Sequence, residues 1–406
     1  MELKAGFGKA ELHITQKDLP IREFESIIQP LTTRVAILGE KENKCVILSI
    51  DMTSLTDRDV KKIKKEANKL LKIPEENIWV TVTHTFSAPH LKHEIKTEKD
   101  QKIYDSFFKK IVESIEKAIA EAKQDYQDVQ VGWNEIFCPL NVNRNIETQK
   151  GWWLGRNFTE YSNHKVRIIG LQDKSGRTNL LYNYDIQPSV LDHICDDNGK
   201  RVISSDIFGY ASMHVEESLK NVSIPLIGAA GDQMPLFKGK ATNSFNKNQA
   251  LVVSQGQVLT QVLLQGINSL RFKDKSLINT FTLKCKLPAQ VQKLGTFEIK
   301  PTHKYEFEKT TSKVLVDIKG IQIGDCLILG TQPELNSEFA AKISALLRKE
   351  KVMIVTLVDG ARKYLSEKKD FDRVTYQSMN TSIGKGADQE MLKAFTKVNE
   401  YWKGEN

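Results

Sequence analysis

Short strand patterns that alternate with amphipathic helix patterns are the feature that most constrains the fold of this 406-residue chain. Residues 45–50 and 78–83 are short runs rich in β-branched side chains, which is typical of buried strands. Between them, residues 57–72 repeat apolar side chains at helical spacing and carry lysines on the other face. This alternation predicts an α/β fold with a mixed central sheet covered by helices.

The rest of the chain repeats the alternation. Further strands are predicted at 34–39, 165–171, 179–186, 223–227, 325–329 and 353–358, and further helices at 99–122, 205–219, 337–348 and 388–402. Residues 272–316 have a β-rich pattern instead, so we expect them to form a subsidiary β element on the edge of the sheet. No low-complexity linker interrupts the sequence, which favours a single domain over residues 1–406.

Composition and charge narrow the class of protein. The net charge of +8 comes mostly from lysines on predicted helix faces, without an arginine-rich or aromatic-interleaved run, so we predict no nucleic-acid partner. No segment approaches the roughly 18 apolar residues that span a bilayer, and no apolar signal peptide opens the chain. The cysteines are odd in number and form no Cys-x-x-Cys pair, which favours a reducing compartment. We therefore expect a cytoplasmic protein without a membrane span, and the oligomeric state is left open.

Polar residues directly follow several predicted strands. In open α/β sheets, ligand sites gather just past the carboxyl ends of strands. A single polar residue there more often caps a helix or closes a turn. Several together favour a shared cleft for a small-molecule substrate. The residues in question are Asp51, His84, Gln187, Asp232 and Glu334.

The segments around these residues resemble the N-terminal catalytic domain of the neutral, non-lysosomal ceramidases. Residues 83–89, Thr-His-Thr-Phe-Ser-Ala-Pro, resemble the family motif Thr-His-Thr-His-Ser-Gly/Ala-Pro, and Asn143-Arg144 resembles the family's Asn-Arg pair. Other similar segments follow in the family's order: 6–15, 31–38, 46–51, 183–191, 205–211, 228–232, 333–334, Tyr364 and Tyr376. The separate C-terminal β-sandwich of true ceramidases is expected to be absent, because the sequence ends soon after the last predicted helix.

The resemblance implies a set of metal ligands, namely His84, Gln187, Glu334 and Tyr364. Gln187 stands where the family has a second histidine. Since zinc prefers imidazole and thiolate ligands, this set is expected to bind zinc or another divalent metal weakly, or no metal. His90 and His93 are close in sequence, and we interpret them as surface histidines and not as replacement ligands.

Two further positions depart from the family. Phe86 replaces the second histidine of the motif, and Met234 replaces a serine that follows the Gly-Asp step. The remaining groups for acid–base chemistry make His84, Asp232 and Tyr376 the predicted catalytic residues. The predicted substrate-binding residues are Phe86, Arg144, Trp153 and Asp51.

Two functions follow from this pattern. The retained groups imply a hydrolase that cleaves an amide, ester or glycosidic bond of a substrate other than ceramide. The reaction could use a metal or proceed without one. The replaced groups favour an alternative, a non-catalytic or repurposed member that binds a ligand in the same cleft.

Overall fold

The elements of the fold come from a computed structural model that describes residues 3–40, 43–91, 95–274 and 277–402. In chain order, the strands are β1 (Leu3–Glu11), β2 (Ser26–Ile27), β3 (Thr32–Leu38), β4 (Cys45–Ile50), β5 (Ile78–Val82), β6 (Gln127–Phe137), β7 (Asn141–Thr148), β8 (Gly151–Asn157), β9 (Lys165–Asp173), β10 (Thr178–Tyr184), β11 (Val202–Ile203), β12 (Ser223–Ile227), β13 (Gln233–Pro235), β14 (Phe272–Lys273), β15 (Ile278–Gln290), β16 (Lys309–Ile323), β17 (Cys326–Thr331), β18 (Glu334–Leu335), β19 (Val352–Val355) and β20 (Tyr364–Leu365). The helices are α1 (Asp57–Leu71), α2 (Glu98–Gln124), α3 (Asp206–Leu219), α4 (Phe245–Asn268), α5 (Ser337–Leu347), α6 (Lys368–Arg373), α7 (Tyr376–Met379), α8 (Ala387–Thr396) and α9 (Val398–Tyr401).

The main sheet is mixed, which confirms the predicted α/β class. Within the described residues its strand order is β12-β10-β9-β6-β1-β3-β4-β5, with β14 paired to β6. The pairs β4/β5 and β10/β12 are parallel, and each parallel pair requires a crossover, which α1 and α3 provide. All residues of β3, β4 and β5 are buried, as their continuous apolar runs indicate.

The helices α1 to α4 cover one face of this sheet. Helix α1 begins where Thr56 accepts a hydrogen bond from the Asp59 amide while the Asp59 carboxylate accepts one from the Thr56 amide. Its buried residues Val60, Ile63 and Ala67 then lie in the core that the helices share with the sheet. The helical spacing of apolar residues therefore predicts the buried face correctly.

A second sheet, in the order β15-β16-β17-β19, packs against the other face of the main sheet. Ile321 and Met353 of the second sheet share a core with Ile47 of the main sheet. Helices α5 and α8 cover the outer face of the second sheet. The chain thus forms four layers in the order helices, sheet, sheet, helices.

The second sheet differs from the expectation for residues 272–316. Of this segment, β14 joins the main sheet, where it pairs with β6. The long hairpin β15–β16 extends to Ile323 and belongs to the second sheet, together with the strands predicted at 325–329 and 353–358. The alternating pattern of a strand indicates which of its faces is buried, but not which sheet covers that face.

Asn183 connects the two sheets through its side chain. This fully buried residue of β10 donates from Nδ2 to the carbonyl oxygens of Leu226 in β12 and Ile354 in β19, both at 3.0 Å. Thr356, just after β19, donates from Oγ1 to the Gly228 carbonyl at 2.8 Å. These bonds fix the ends of β10, β12 and β19 beside one another.

The main sheet also curls, so that strands from its two ends approach each other. Ser49 of β4 donates from Oγ to the Pro225 carbonyl of β12 at 2.7 Å. Since β4 and β12 lie far apart in the strand order, this contact brings together loops that follow β5, β10 and β12.

Helix α4 is the one described helix whose length and apolar composition are sufficient to cross a membrane, contrary to the expectation that no segment comes close. Its Val252, Leu259 and Leu263 are buried in the core beside α3. Length and composition alone are weak evidence, because a helix of a protein core passes the same test. A membrane span is therefore not clearly indicated.

Replacing Asn183 by Leu tests the connection between the sheets. Leu has the same number of side-chain heavy atoms as Asn but no donor, so two buried carbonyl oxygens lose the hydrogen bond from Asn183, each at a cost of about 1–3 kcal/mol. We expect the free energy of unfolding in urea to fall by about 3 kcal/mol. Asn198→Leu, at an exposed site, should change it by no more than about 0.5 kcal/mol. Equal losses in the two variants would contradict the role of Asn183.

Candidate functional site

The four residues that the resemblance implies as metal ligands lie close together. His84 follows β5, Gln187 follows β10, and Glu334 and Tyr364 are paired between the parallel strands β18 and β20. Nε2 of His84 lies 3.3 Å from Oε2 of Glu334, and Nε2 of Gln187 donates to the same oxygen at 3.2 Å. All four are at least nine-tenths buried.

The imidazole of His84 is held in one orientation. Its Nδ1 lies 2.5 Å from the carbonyl oxygen of Thr53. Because a carbonyl only accepts, Nδ1 carries the proton there, and in the neutral ring Nε2 carries the lone pair. Nε2 is buried without a hydrogen-bond partner, since its approach to Glu334 lacks hydrogen-bond geometry. His84 also has a left-handed φ of 65°.

Arg144 of β7 lies at the centre of the cluster. Its Nη1 donates to Oε1 of Gln187 at 3.1 Å, and its Nη2 donates to the hydroxyl of Tyr364 at 3.2 Å. Nε and Nη2 both donate to the Gly231 carbonyl, at 3.1 and 2.6 Å. A guanidinium has about five N–H donors, so these bonds leave one N–H on Nη1 for a ligand.

The charges of the cluster reinforce one another. Burial by itself would raise the pKa of Glu334, but His84, Arg144 and Gln187 outweigh it and hold that pKa below 4.5. Glu334 therefore remains ionised. Burial and the charge of Glu334 raise the pKa of Tyr364, so its phenol stays neutral.

These residues do not fit a zinc ion. The oxygens of Gln187 and Tyr364 accept hydrogen bonds from Arg144, and Gln187 presents its amide nitrogen to Glu334. Only His84 Nε2 and the carboxylate of Glu334 remain as donors, whereas a catalytic zinc takes three protein ligands. The part of the chain that the structure describes contains no group of three or more His, Cys, Asp or Glu side chains suited to a metal.

Asp232 lies behind Arg144 and not against His84 or Glu334. Its Oδ1 accepts from Gln233 and from the amide of Ser337, the first residue of α5, and its Oδ2 accepts from Asn143. Burial raises the pKa of Asp232 to about 6. Both oxygens are engaged, so the geometry gives Asp232 a supporting position: it fixes the turn whose backbone holds Arg144.

Asp51 is the predicted substrate-binding residue that the structure places elsewhere. It is fully buried, accepts from the Thr32 amide at 2.8 Å and pairs with Arg34 at 3.7 Å. Arg34 in turn pairs with Glu216 of α3. Asp51 does follow the end of a strand, as expected. Its ion pair with Arg34 of the neighbouring strand, which the strand-end rule does not reveal, engages its carboxylate in the core.

Phe86 and Trp153, which were predicted to bind substrate, form an aromatic rim with Tyr376, which was predicted to be catalytic. Phe86 contacts the His84 ring edge-to-face, with centroids 4.8 Å apart. Tyr376 contacts both Tyr364 and Trp153, at 6.0 and 5.8 Å between centroids. Phe86, Tyr376 and Trp153 are half-buried, so they line the accessible side of the cluster.

Two contributors were not predicted from the sequence. Thr53 orients His84 through a backbone carbonyl, which no side-chain pattern reveals. Lys363 is exposed beside the cluster, and its carbonyl accepts from the Glu334 amide at 2.7 Å. The sequence signal that could have identified Lys363 is its position directly before Tyr364.

His90 is half-buried, and burial lowers its pKa, whereas His93 lies outside the described residues.

Comparison with known proteins defines the class of the fold. No family model and no curated protein matches the chain. The α/β fold is nevertheless similar to that of solved neutral ceramidase structures, as the sequence resemblance implies for the fold.

Two solved structures carry this conclusion. The neutral ceramidase from Pseudomonas aeruginosa is similar with a TM-score of 0.76 and 14% identity, over 100% of this chain and 76% of that one. A ceramidase complexed with C2 is similar with a TM-score of 0.75 and 13% identity, over 100% of this chain and 77% of that one. At these identities the similarity shows the fold alone.

The buried pair of Asp51 and Arg34 predicts a pH dependence. Burial raises the pKa of Asp51 to about 6, so the folded chain binds more protons than the unfolded chain between about pH 4 and pH 6. The contribution of Asp51 to stability is therefore present below about pH 4 and lost as the pH rises through about 6.

We expect the difference in unfolding free energy between wild type and Asp51→Asn to shift against wild type by about 3 kcal/mol over that range. Urea denaturation of both proteins from pH 4 to 8 measures it. A difference that stays constant with pH would contradict the prediction.

Proposed function

We propose that this chain hydrolyses an amide or ester bond without a metal ion, with His84 as the general base and Arg144 as the donor to the carbonyl oxygen. The observation that carries the proposal is the buried Nε2 of His84, which has no hydrogen-bond partner while Nδ1 is fixed on Thr53. A neutral imidazole with a fixed tautomer suits the activation of water, and the carboxylate of Glu334, 3.3 Å from Nε2, can stabilise the imidazolium that forms.

The reaction uses groups that are already in place. His84 Nε2 takes a proton from water as the oxygen attacks the carbonyl carbon, and the ionised Glu334 stabilises the imidazolium that forms. The remaining N–H of Arg144 donates to the carbonyl oxygen as it gains negative charge. When the tetrahedral intermediate collapses, His84 returns the proton to the leaving amine or alcohol, and the carbonyl becomes a carboxylic acid.

The carboxylates favour acyl chemistry over glycoside hydrolysis. Most glycosidases use two carboxyl groups that flank the scissile bond. Here Glu334 contacts His84, while both oxygens of Asp232 accept hydrogen bonds from Asn143, Gln233 and Ser337. An amide or an ester is therefore the favoured substrate, and the glycosidic bond is the weaker candidate.

We propose a substrate other than ceramide and a cytoplasmic location. Phe86, Gln187 and Met234 replace three groups of the family's site, which supports a changed chemistry. The five cysteines are all free, and four of them are buried, which supports a reducing compartment.

Replacing His84 tests the general base. On a panel of aryl esters and N-acyl amides, His84→Ala should lower kcat by about 10²–10⁴-fold, because water loses its base. His193→Ala is a matched control: His193 is also at a left-handed φ, 58° against 65°, but is exposed, so Ala strains both backbones alike. Far-ultraviolet circular dichroism and thermal unfolding verify that both variants fold.

The same assays include a metal chelator, which should leave the turnover of wild type unchanged. Loss of activity with the chelator and recovery with zinc would contradict a metal-independent reaction. Equal activity of wild type and His84→Ala would contradict the role of His84.

The alternative function is ligand binding without catalysis. The observation that favours it concerns Arg144. Its hydrogen bonds to Gln187 and Tyr364 occupy N–H donors that would otherwise be free to stabilise the carbonyl oxygen of a substrate. In that case no member of the panel is hydrolysed by wild type.

Gln187→His separates the two functions. The substitution removes the acceptor for Nη1 of Arg144 and adds a third metal donor beside His84 and Glu334. We expect Gln187→His to bind zinc about 10–100-fold more tightly than wild type in calorimetric titration. Hydrolysis by Gln187→His with zinc and none by wild type would show that the natural protein is a binder. Unchanged zinc affinity would contradict the described role of Gln187.

A further inference from the structure

One of the positive charges beside the cluster has no ion-pair partner among the described residues. Arg144 and Lys363 supply two positive charges, and Glu334 supplies one negative charge. Asp232, behind Arg144, supplies a second negative charge, since its oxygens accept only from the neutral donors Asn143, Gln233 and Ser337. This positive charge lies at the accessible side of the site, where an anionic ligand can reach it.

Lys363 is the residue that carries this charge. Backbone pairing holds it beside Glu334, whose amide donates to the Lys363 carbonyl at 2.7 Å. Its ammonium donates to Oγ1 of Thr296 at 3.2 Å, in the loop between β15 and β16. Among the described residues no carboxylate lies within ion-pair distance of Lys363, and an ammonium with one such bond keeps two donors free.

Thr296 makes the position of Lys363 specific. Its hydroxyl donates to Oδ1 of Asn380, and Asn380 donates from Nδ2 to the hydroxyl of Tyr376 in the aromatic rim. The exposed ammonium is thus tied to the same rim that lines the cluster, and it remains accessible to a ligand.

We infer that the substrate bears a carboxylate close to the scissile bond and that Lys363 binds it, as in an N-acyl amino acid. This inference rests on the proposed hydrolase function. An uncharged amide or ester leaves the positive charge of Lys363 without a counter-ion, whereas a carboxylate-bearing substrate neutralises it and is attracted to the site during encounter.

Matched substrates test the inference. N-octanoylglycine and N-octanoylglycinamide differ only in a carboxylate against a carboxamide. For wild type we expect kcat/KM to be about fivefold higher for the carboxylate, the scale of one partly exposed ion pair, mostly through a lower KM. In Lys363→Met the ratio of the two kcat/KM values should fall to about one, and Lys363→Arg should restore it.

Lys61→Met is the control, because it removes one exposed lysine charge on α1, away from the site, and should keep the ratio of wild type. Equal loss on both substrates in Lys363→Met would assign Lys363 a structural role and overturn the inference. A wild-type preference for the carboxamide would also overturn it.

A binding measurement separates this inference from the proposed function. If wild type hydrolyses neither compound, calorimetry with the same pair still reports the preference. Tighter binding of N-octanoylglycine that disappears in Lys363→Met supports Lys363 as the anion site of a non-catalytic protein. Binding of neither compound, or equal binding of both, overturns the inference whatever the outcome of the hydrolysis assays.

Discussion

The packing of two sheets face to face is the constraint from which the position of the site follows. Each sheet is covered by helices on its outer side and by the other sheet on its inner side, so the central strands have no face open to solvent. Polar groups can then reach a ligand only at strand ends. Asn183 holds the ends of β10, β12 and β19 together, and the contact of Ser49 with Pro225 brings in the end of β5. Residues far apart in sequence meet where these ends meet.

At that meeting point a guanidinium lies among the four residues that the sequence resemblance implies as metal ligands. Arg144 carries a permanent positive charge, and its position is fixed by the Gly231 carbonyl. It donates hydrogen bonds to the oxygens of Gln187 and Tyr364. A bound cation would bring stronger polarisation but depends on its supply, whereas an arginine is always charged. Together with His84 and Gln187, this fixed charge outweighs burial and holds the pKa of Glu334 below its usual value.

Much of the fold could be predicted from the sequence, because strands β4 and β5 and helices α1 and α2 have unbroken local patterns. Helix α4 was missed because glutamines, asparagines and Gly256 interrupt its apolar stripe. The second sheet could not be assigned, since strand pairing is set by contacts between distant segments. For the site, the strand-end rule and the resemblance located His84, Gln187 and Glu334. They could not distinguish these from Asp51, whose partner Arg34 lies in another strand, nor identify Thr53 and Lys363.

The left-handed backbone of His84 has a consequence for how this chain would respond to selection. A residue with a side chain is strained at a φ of 65°, by roughly 1 kcal/mol, and glycine is not. A library selected only for folding would therefore enrich glycine or asparagine at this position, and a library selected for turnover would retain histidine. Opposite enrichment under the two selections would show that histidine at position 84 lowers the stability of the fold and is retained because turnover requires it.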